Sequence, residues 1–205
     1  MRRIALSLCL ASLALAGAAH ADGVSTDPKK APAGAYQVET HHTLVLFAIP
    51  HLGLTDYYGR FEKISGTLNF NPGAPEKSFV DVSIDTSSAN VMSAELINEL
   101  VGPSVFDSAH FPTATFKSTS IERTGSNTGR MTGDLTIHGV TKPVTFDVTF
   151  NGGLQAPIGN AYEIGFHATA TVKRSDFGLD KMMWKSFVGD DVKLIIEALF
   201  TQPKS

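Results

Sequence analysis

The sequence predicts an all-β chain, an antiparallel eight-stranded barrel with one short helix in a connection between strands. Three observations carry this. From Tyr36 onward, segment after segment alternates apolar and polar residues with a period of two. Gly, Pro or Asn commonly stands between those segments, where the chain has to turn. Only Ser93 to Leu100 carries a helical period instead. Many two-faced strands without intervening helices must bury their apolar faces against one another, and closing the sheet also removes its edges.

The elements follow in order. Arg2 and Arg3 open the chain, an apolar run extends from Ile4 to about Gly17, and Ala19-His20-Ala21 forms a small-x-small site. Together they read as a secretory signal over 1–21, cleaved before Asp22. The run of about 13 residues is short for a bilayer span, which takes about 20. Cys9, the one cysteine, lies inside this segment and not at its cleavage point, so the remaining 184 residues hold no disulfide and rest on an ordinary core. Residues 22–34 are rich in Pro, Gly, Ala and Lys and lack an apolar face, which reads as a flexible leader before a single domain over 35–202.

Eight strands are expected near 36–50, 57–70, 79–85, 114–122, 130–138, 143–150, 164–173 and 192–201. The clearest is Pro143 to Phe150, with Val144, Phe146, Val148 and Phe150 on one face and Thr145, Asp147 and Thr149 on the other. Leu135 and Ile137 mirror it, and His138 to Pro143 between them reads as a turn, making a hairpin with one dry and one wet face. In Ser93 to Leu100, Leu96 and Leu100 stand four apart, and Gly102-Pro103 ends the helix. Phe106, Phe111 and Pro112 follow, and this region is expected to fold back over one end of the barrel.

Charge and motifs exclude more than they assign. Beyond the signal the chain carries 15 basic and 20 acidic residues with no basic stripe, which gives nucleic acid no electrostatic footing. No later apolar stretch is long enough for a membrane-spanning helix. There is no cysteine nucleophile outside the signal, no G-x-S-x-G, no H-E-x-x-H and no glycine-rich phosphate loop. His41 and His42 are adjacent, so on a strand they face opposite sides, a poor start for a metal site. The expectation is a chain without catalytic residues, metal or cofactor.

All 13 phenylalanines follow the signal. Several of them, Phe47, Phe61, Phe70, Phe116, Phe146, Phe150, Phe166 and Phe200, occupy alternating strand positions, while others, Phe106, Phe111, Phe177 and Phe187, fall in irregular stretches. An eight-stranded barrel either fills with side chains or holds one small ligand. Phenylalanines interleaved with Ala168, Ala170 and Gly133 are compatible with both outcomes.

A series of motifs in fixed order resembles one family. His42-Thr43, Phe47 and His51-Leu52-Gly53 come first, then Gly59, Phe61 and Gly66, then Val82 to Ser88. Phe106-Asp107, Phe111-Pro112 and Thr115-Phe116 follow, then Gly133 to Val144, and finally Arg174 to Gly178 and Val188 to Val192. In these the chain resembles the YceI-like proteins, a lipocalin-like group associated with polyisoprenoid binding, from about Gly34 to Phe200. Thr43 stands where the family often has Ser, which keeps the hydroxyl, and Ile97 to Ser104 replaces a charged stretch before the Phe-Asp motif.

The resemblance implies an elongated barrel whose apolar interior holds an isoprenoid lipid, a quinone or a polyprenyl phosphate, in the periplasm or after secretion. Phe47, Phe61, Phe106, Phe116, Phe166 and Phe177 would line it, with His51, Arg174 and Asp176 near the mouth. A homodimer is left open. The alternatives are a secreted stress-related or protein-interaction module with the barrel as scaffold, and an outer-membrane barrel.

Overall fold

The computed structural model describes residues 23–202, and the signal expected over 1–21 lies outside them. Among the described residues are eleven strands and one α-helix: β1 (Gly34–Val38), β2 (Leu44–His51), β3 (Thr55–Phe61), β4 (Ile64–Phe70), β5 (Phe79–Asp85), β6 (Ala89–Asn90), α1 (Ala94–Val101), β7 (Thr113–Arg123), β8 (Thr128–Ile137), β9 (Val140–Gln155), β10 (Tyr162–Lys173) and β11 (Asp191–Thr201). All pairings are antiparallel, and the sheet closes because β11 pairs with both β1 and β2.

The eleven segments make eight barrel staves. β1 and β2 form one stave, both against β11; β3 pairs with β2 while β4 pairs with β1, so these two form the next; β6 against β3 extends β5 against β4. The expected strands 36–50 and 57–70 are therefore each one stave, interrupted at 39–43 and at Glu62-Lys63. A third interruption, Thr86–Ser88, separates β5 from β6 at the same level.

Hydroxyl groups repair the ladder at these breaks. Thr43 Oγ1 donates to the Leu199 carbonyl (3.1 Å) and accepts from the Leu199 N–H (3.0 Å). Ser88 Oγ accepts from the N–H groups of Glu62 (3.2 Å) and Lys63 (3.0 Å) and donates to the Asp85 carbonyl (2.6 Å). Buried backbone groups must find partners, and here a side chain supplies them. Thr43→Val keeps the shape and removes both bonds to Leu199, which is expected to lower stability by about 1–3 kcal/mol. Thr43→Ser should stay within about 1 kcal/mol of the native chain. Urea unfolding of the pair distinguishes the hydroxyl's role from simple packing.

The β8–β9 hairpin is tighter than expected. Ile137 pairs with Val140, so only His138 (φ 52°) and Gly139 (φ 75°) form the turn, and Thr141 to Pro143 lie within β9. Two successive positive φ angles suit the right-handed twist of a hairpin, and His-Gly supplies them. The helix starts at Ala94, with Ser93 Oγ accepting from the Leu96 N–H, and stops at Gly102.

The leader is tied to the barrel at points its composition does not reveal. Ser25 exchanges two backbone hydrogen bonds with Gly153, both 2.9 Å, and Ala31 is buried. The Tyr36 hydroxyl donates to the Pro32 carbonyl, and burial together with nearby Tyr162 pushes its pKa up to about 12.

Inward residues are apolar and outward ones polar. Val144, Phe146 and Phe150 are buried while Thr145 and Asp147 are exposed. Outer cross-strand ion pairs include Lys117–Asp81 (2.8 Å) and Lys173–Asp191 (2.9 Å). This is the reverse of a membrane-spanning barrel, which is apolar outside.

Candidate functional site

Antiparallel connectivity gives the barrel two ends. At one, here the mouth, lie the β2–β3 turn, the connection that carries α1, the His138-Gly139 turn and the loop 174–190. At the other, the distal end, lie the connections 71–78, 124–127 and 156–161, with the leader crossing beside β9. A cavity of about 620 Å³ occupies the interior, with wall residues from both ends. That volume falls within the range of about 300–1,000 Å³ of small-molecule sites.

The wall is apolar along its length. Inward positions of β10 (Phe166, Ala168, Val172) and β11 (Val192, Leu194, Ile196, Ala198, Phe200) form one side. Towards the mouth, Phe61 packs against Phe47 and Phe106 with ring centroids 5.8 and 5.4 Å apart, and Phe116 meets Phe146 at 5.1 Å. Towards the distal end, Phe150 meets Phe70 at 6.2 Å and Phe166 at 5.4 Å, and Phe200 meets Phe166 at 6.1 Å. Edge and offset ring contacts of this kind hold aromatic walls in place.

All eight residues expected at a ligand site lie on this wall: Phe47, His51, Phe61, Phe106, Phe116, Phe166, Arg174 and Phe177. Asp176, expected near the mouth, is exposed and is not part of it. Phe111 packs instead on His138, centroids 4.5 Å apart, outside the barrel wall. Sequence reasoning expected the helical connection to fold over one end of the barrel but missed that the loop before β11 completes this cover. Leu96 and Leu100 of α1, and Trp184, Phe187 and Val188 of the loop, all reach the cavity. The i, i+4 spacing of the two leucines was the available signal for the helix; Trp184, in an irregular stretch, had none. The expected folding-back of the region that holds Phe106 is present, with Val105 and Phe106 closing over the interior.

Phe47 has room on the wall because its cross-strand partner is Gly59. A Cβ on Gly59 would lie 2.1 Å from Phe47 Cζ, so the ring fills the place of the missing side chain. Gly59→Ala is expected to push the ring into the cavity and destabilise the barrel by about 1–3 kcal/mol. Thermal unfolding measures the cost, and an unchanged melting temperature would refute the packing account.

Polar groups gather at the ends. At the mouth the Arg174 guanidinium is buried, with Nε donating to the Gly189 carbonyl (2.9 Å), Nη1 to that of Leu179 (2.8 Å) and Nη2 to that of Lys185 (3.0 Å). Gly178, at φ 71°, turns the chain into the loop that these bonds gather. Asp190 accepts from Ser175 N (3.0 Å) and Oγ (2.7 Å). The Trp184 Nε1–H donates to the Glu99 carboxylate, tying the loop to α1.

Burial pushes the Asp190 carboxyl up, but the Ser175 hydrogen bonds, the Arg174 guanidinium and Lys173 outweigh it, and its pKa falls below the ordinary 3.8. A carboxyl held down in the folded state stabilises fully above its unfolded value, and this contribution is lost as pH falls through the folded one. The advantage of the native chain over Asp190→Asn in urea should therefore be constant above about pH 5 and shrink below 3.8. A gap that persists unchanged into acid would exclude this linkage.

Among the described residues no group of three His, Cys, Asp or Glu is placed to hold a metal. His42 Nδ1 instead meets the Glu39 carboxylate at 2.7 Å.

Fold and cavity together define a lipocalin-like barrel, eight antiparallel staves around one apolar chamber. The chain belongs to the YceI-like family, whose domain matches residues 36–200. It is similar to a UPF0312 protein of Pseudomonas savastanoi pv. phaseolicola, 40% identical over 141 residues, 69% of this chain and 73% of the relative. Among solved structures, Burkholderia cenocepacia BcnA matches with a TM-score of 0.70 and 27% identity, covering 79% of this chain and 98% of BcnA. A polyisoprenoid binding domain from Saccharophagus degradans matches with a TM-score of 0.64, covering 84% of this chain and all of that one; at 14% identity the likeness is one of fold.

Proposed function

We propose that the chain is a binding protein that holds a long-chain isoprenoid lipid in the barrel and stores or carries it in the periplasm or after secretion. The observation that carries this reading is the apolar wall of a cavity of about 620 Å³, which runs from one end of the barrel to the other with few polar side chains between the ends. Each methylene moved out of water into such a wall contributes about 0.8 kcal/mol, so a chain is held without directional contacts. A domain named for polyisoprenoid binding shares this fold. The tail lies along the phenylalanines, and the head group, a quinone or a polyprenyl phosphate, sits at the mouth beside His51, Tyr57 and Arg174. The signal-like start of the sequence supports export.

Expression with the native start, release by osmotic shock, native mass spectrometry and organic extraction test the reading. A bound isoprenoid mass is expected. A protein that stays empty after incubation with ubiquinone and with polyprenyl phosphate overturns it, and a bound protein in place of a lipid would mark the barrel as an interaction scaffold.

A further inference from the structure

The outer surface at the mouth departs from the rest of the barrel. Leu54 is 80% exposed, Met183 95%, and Leu52 and Phe187 55% each. These four belong to two connections, 51–55 and 179–187, which the structure joins into one rim. The Leu52 N–H donates to the Phe187 carbonyl (2.8 Å), His51 bridges to Val188, and the Gly189 N–H donates to the Pro50 carbonyl (2.8 Å). Their exposure does not follow from failed packing, because Met182 and Leu179 in the same loop are buried and Trp184 is half-buried. The loop turns one set of apolar side chains into the cavity wall and another outward.

The charge of the rim is also distinct. Within 179–187, Lys181 and Lys185 are exposed beside the single acid Asp180, and 51–55 contains no acid. The chain as a whole is acidic, with a formal net charge of -3. Met183 between Lys181 and Lys185, with Leu52, Leu54 and Phe187 exposed in the same rim, matches a bilayer interface, where the apolar groups enter the acyl boundary by about 5–10 Å and the ammonium groups stay among anionic heads. The rim also borders the cavity mouth, since His51 and Phe187 belong to both.

We propose that this rim is a docking surface for an anionic phospholipid bilayer, on which the barrel sits while its ligand passes between membrane and cavity. The proposal rests on the lipid-binding reading for its purpose, not for the binding of the surface itself. Contact transfer spares the chain an aqueous passage that would cost about 0.8 kcal/mol per methylene. It also assigns the mouth, and not the distal end, as the end facing the membrane.

The test is flotation of the processed chain with vesicles of mixed phosphatidylcholine and phosphatidylglycerol that contain no isoprenoid. The native chain is expected to float with them, and less with phosphatidylcholine alone. Leu54→Asp/Met183→Asp alters two side chains that stand outside the cavity wall. It should reduce vesicle partition at least about tenfold while isoprenoid retention by native mass spectrometry stays unchanged. A native chain that carries isoprenoid yet never floats overturns the docking proposal and leaves the lipid reading standing. Flotation lost in the variant, from a chain that binds no isoprenoid, supports the surface and removes the lipid reading. Equal flotation of variant and native chain overturns the proposal, as does a variant whose only change in sedimentation is the loss of a dimer, which would give the rim to a second copy.

Discussion

Ala168→Phe is expected to shut the ligand out of the barrel while leaving the barrel folded. Ala168 lies mid-strand in β10, paired with Val148 and Ile196, buried, and on the cavity wall. In a packed core a phenyl group at such a site would cost about 1–3 kcal/mol through strain. Here it enters open space lined by apolar groups and gains contacts that the empty wall lacks. The melting temperature should therefore hold or rise, while isoprenoid affinity falls at least about tenfold because the ring stands where the chain lies. Thermal unfolding and native mass spectrometric titration read the two effects separately. Full affinity in a folded variant would place the ligand elsewhere; collapse of the fold would mean that no open space exists at Ala168.

Arg174→Met should act in the opposite sense, on the cover and not on the chamber. The guanidinium gathers the carbonyls of Leu179, Lys185 and Gly189, three points along one loop. Removing it leaves those acceptors without their donors, and a loss of about 2–4 kcal/mol is expected. Arg174→Lys should not restore it, because an ammonium group cannot reproduce the planar fork that reaches three directions at once. Trypsin provides a local readout, since Lys181 and Lys185 are exposed within the loop. Cleavage there should accelerate in both variants. Unchanged cleavage together with unchanged urea unfolding would show that Arg174 does not hold the loop.

What could be read from the sequence was what depends on a short period. The alternation in β9, β10 and β11 marked the inward residues, and all eight staves were anticipated because each keeps its period of two over most of its length. The breaks in three staves were not, because they depend on contacts between distant residues. Nothing near Thr43 announces a partner at Leu199, nor does Ser88 announce Glu62. The wall phenylalanines were legible for the same reason as the strands. Arg174 was placed at the mouth by resemblance alone, and its partners show it holding a loop as well as facing the cavity. The rim escaped notice because Leu54 and Met183 occupy irregular segments, where no period separates a core side chain from one facing outward.

Trp184 is the one tryptophan among 205 residues, and it stands where the cavity meets its cover, with its indole nitrogen bonded to Glu99. The protein thus carries its own optical gauge. Indole emission, excited beyond the absorption of the four tyrosines, comes from a single site whose surroundings change when a molecule fills the mouth, so its colour and intensity separate loaded from empty barrels without a label. A quinone head near that ring would extinguish the light and a polyprenyl phosphate would only shift it, and a cuvette could then sort the two classes of cargo.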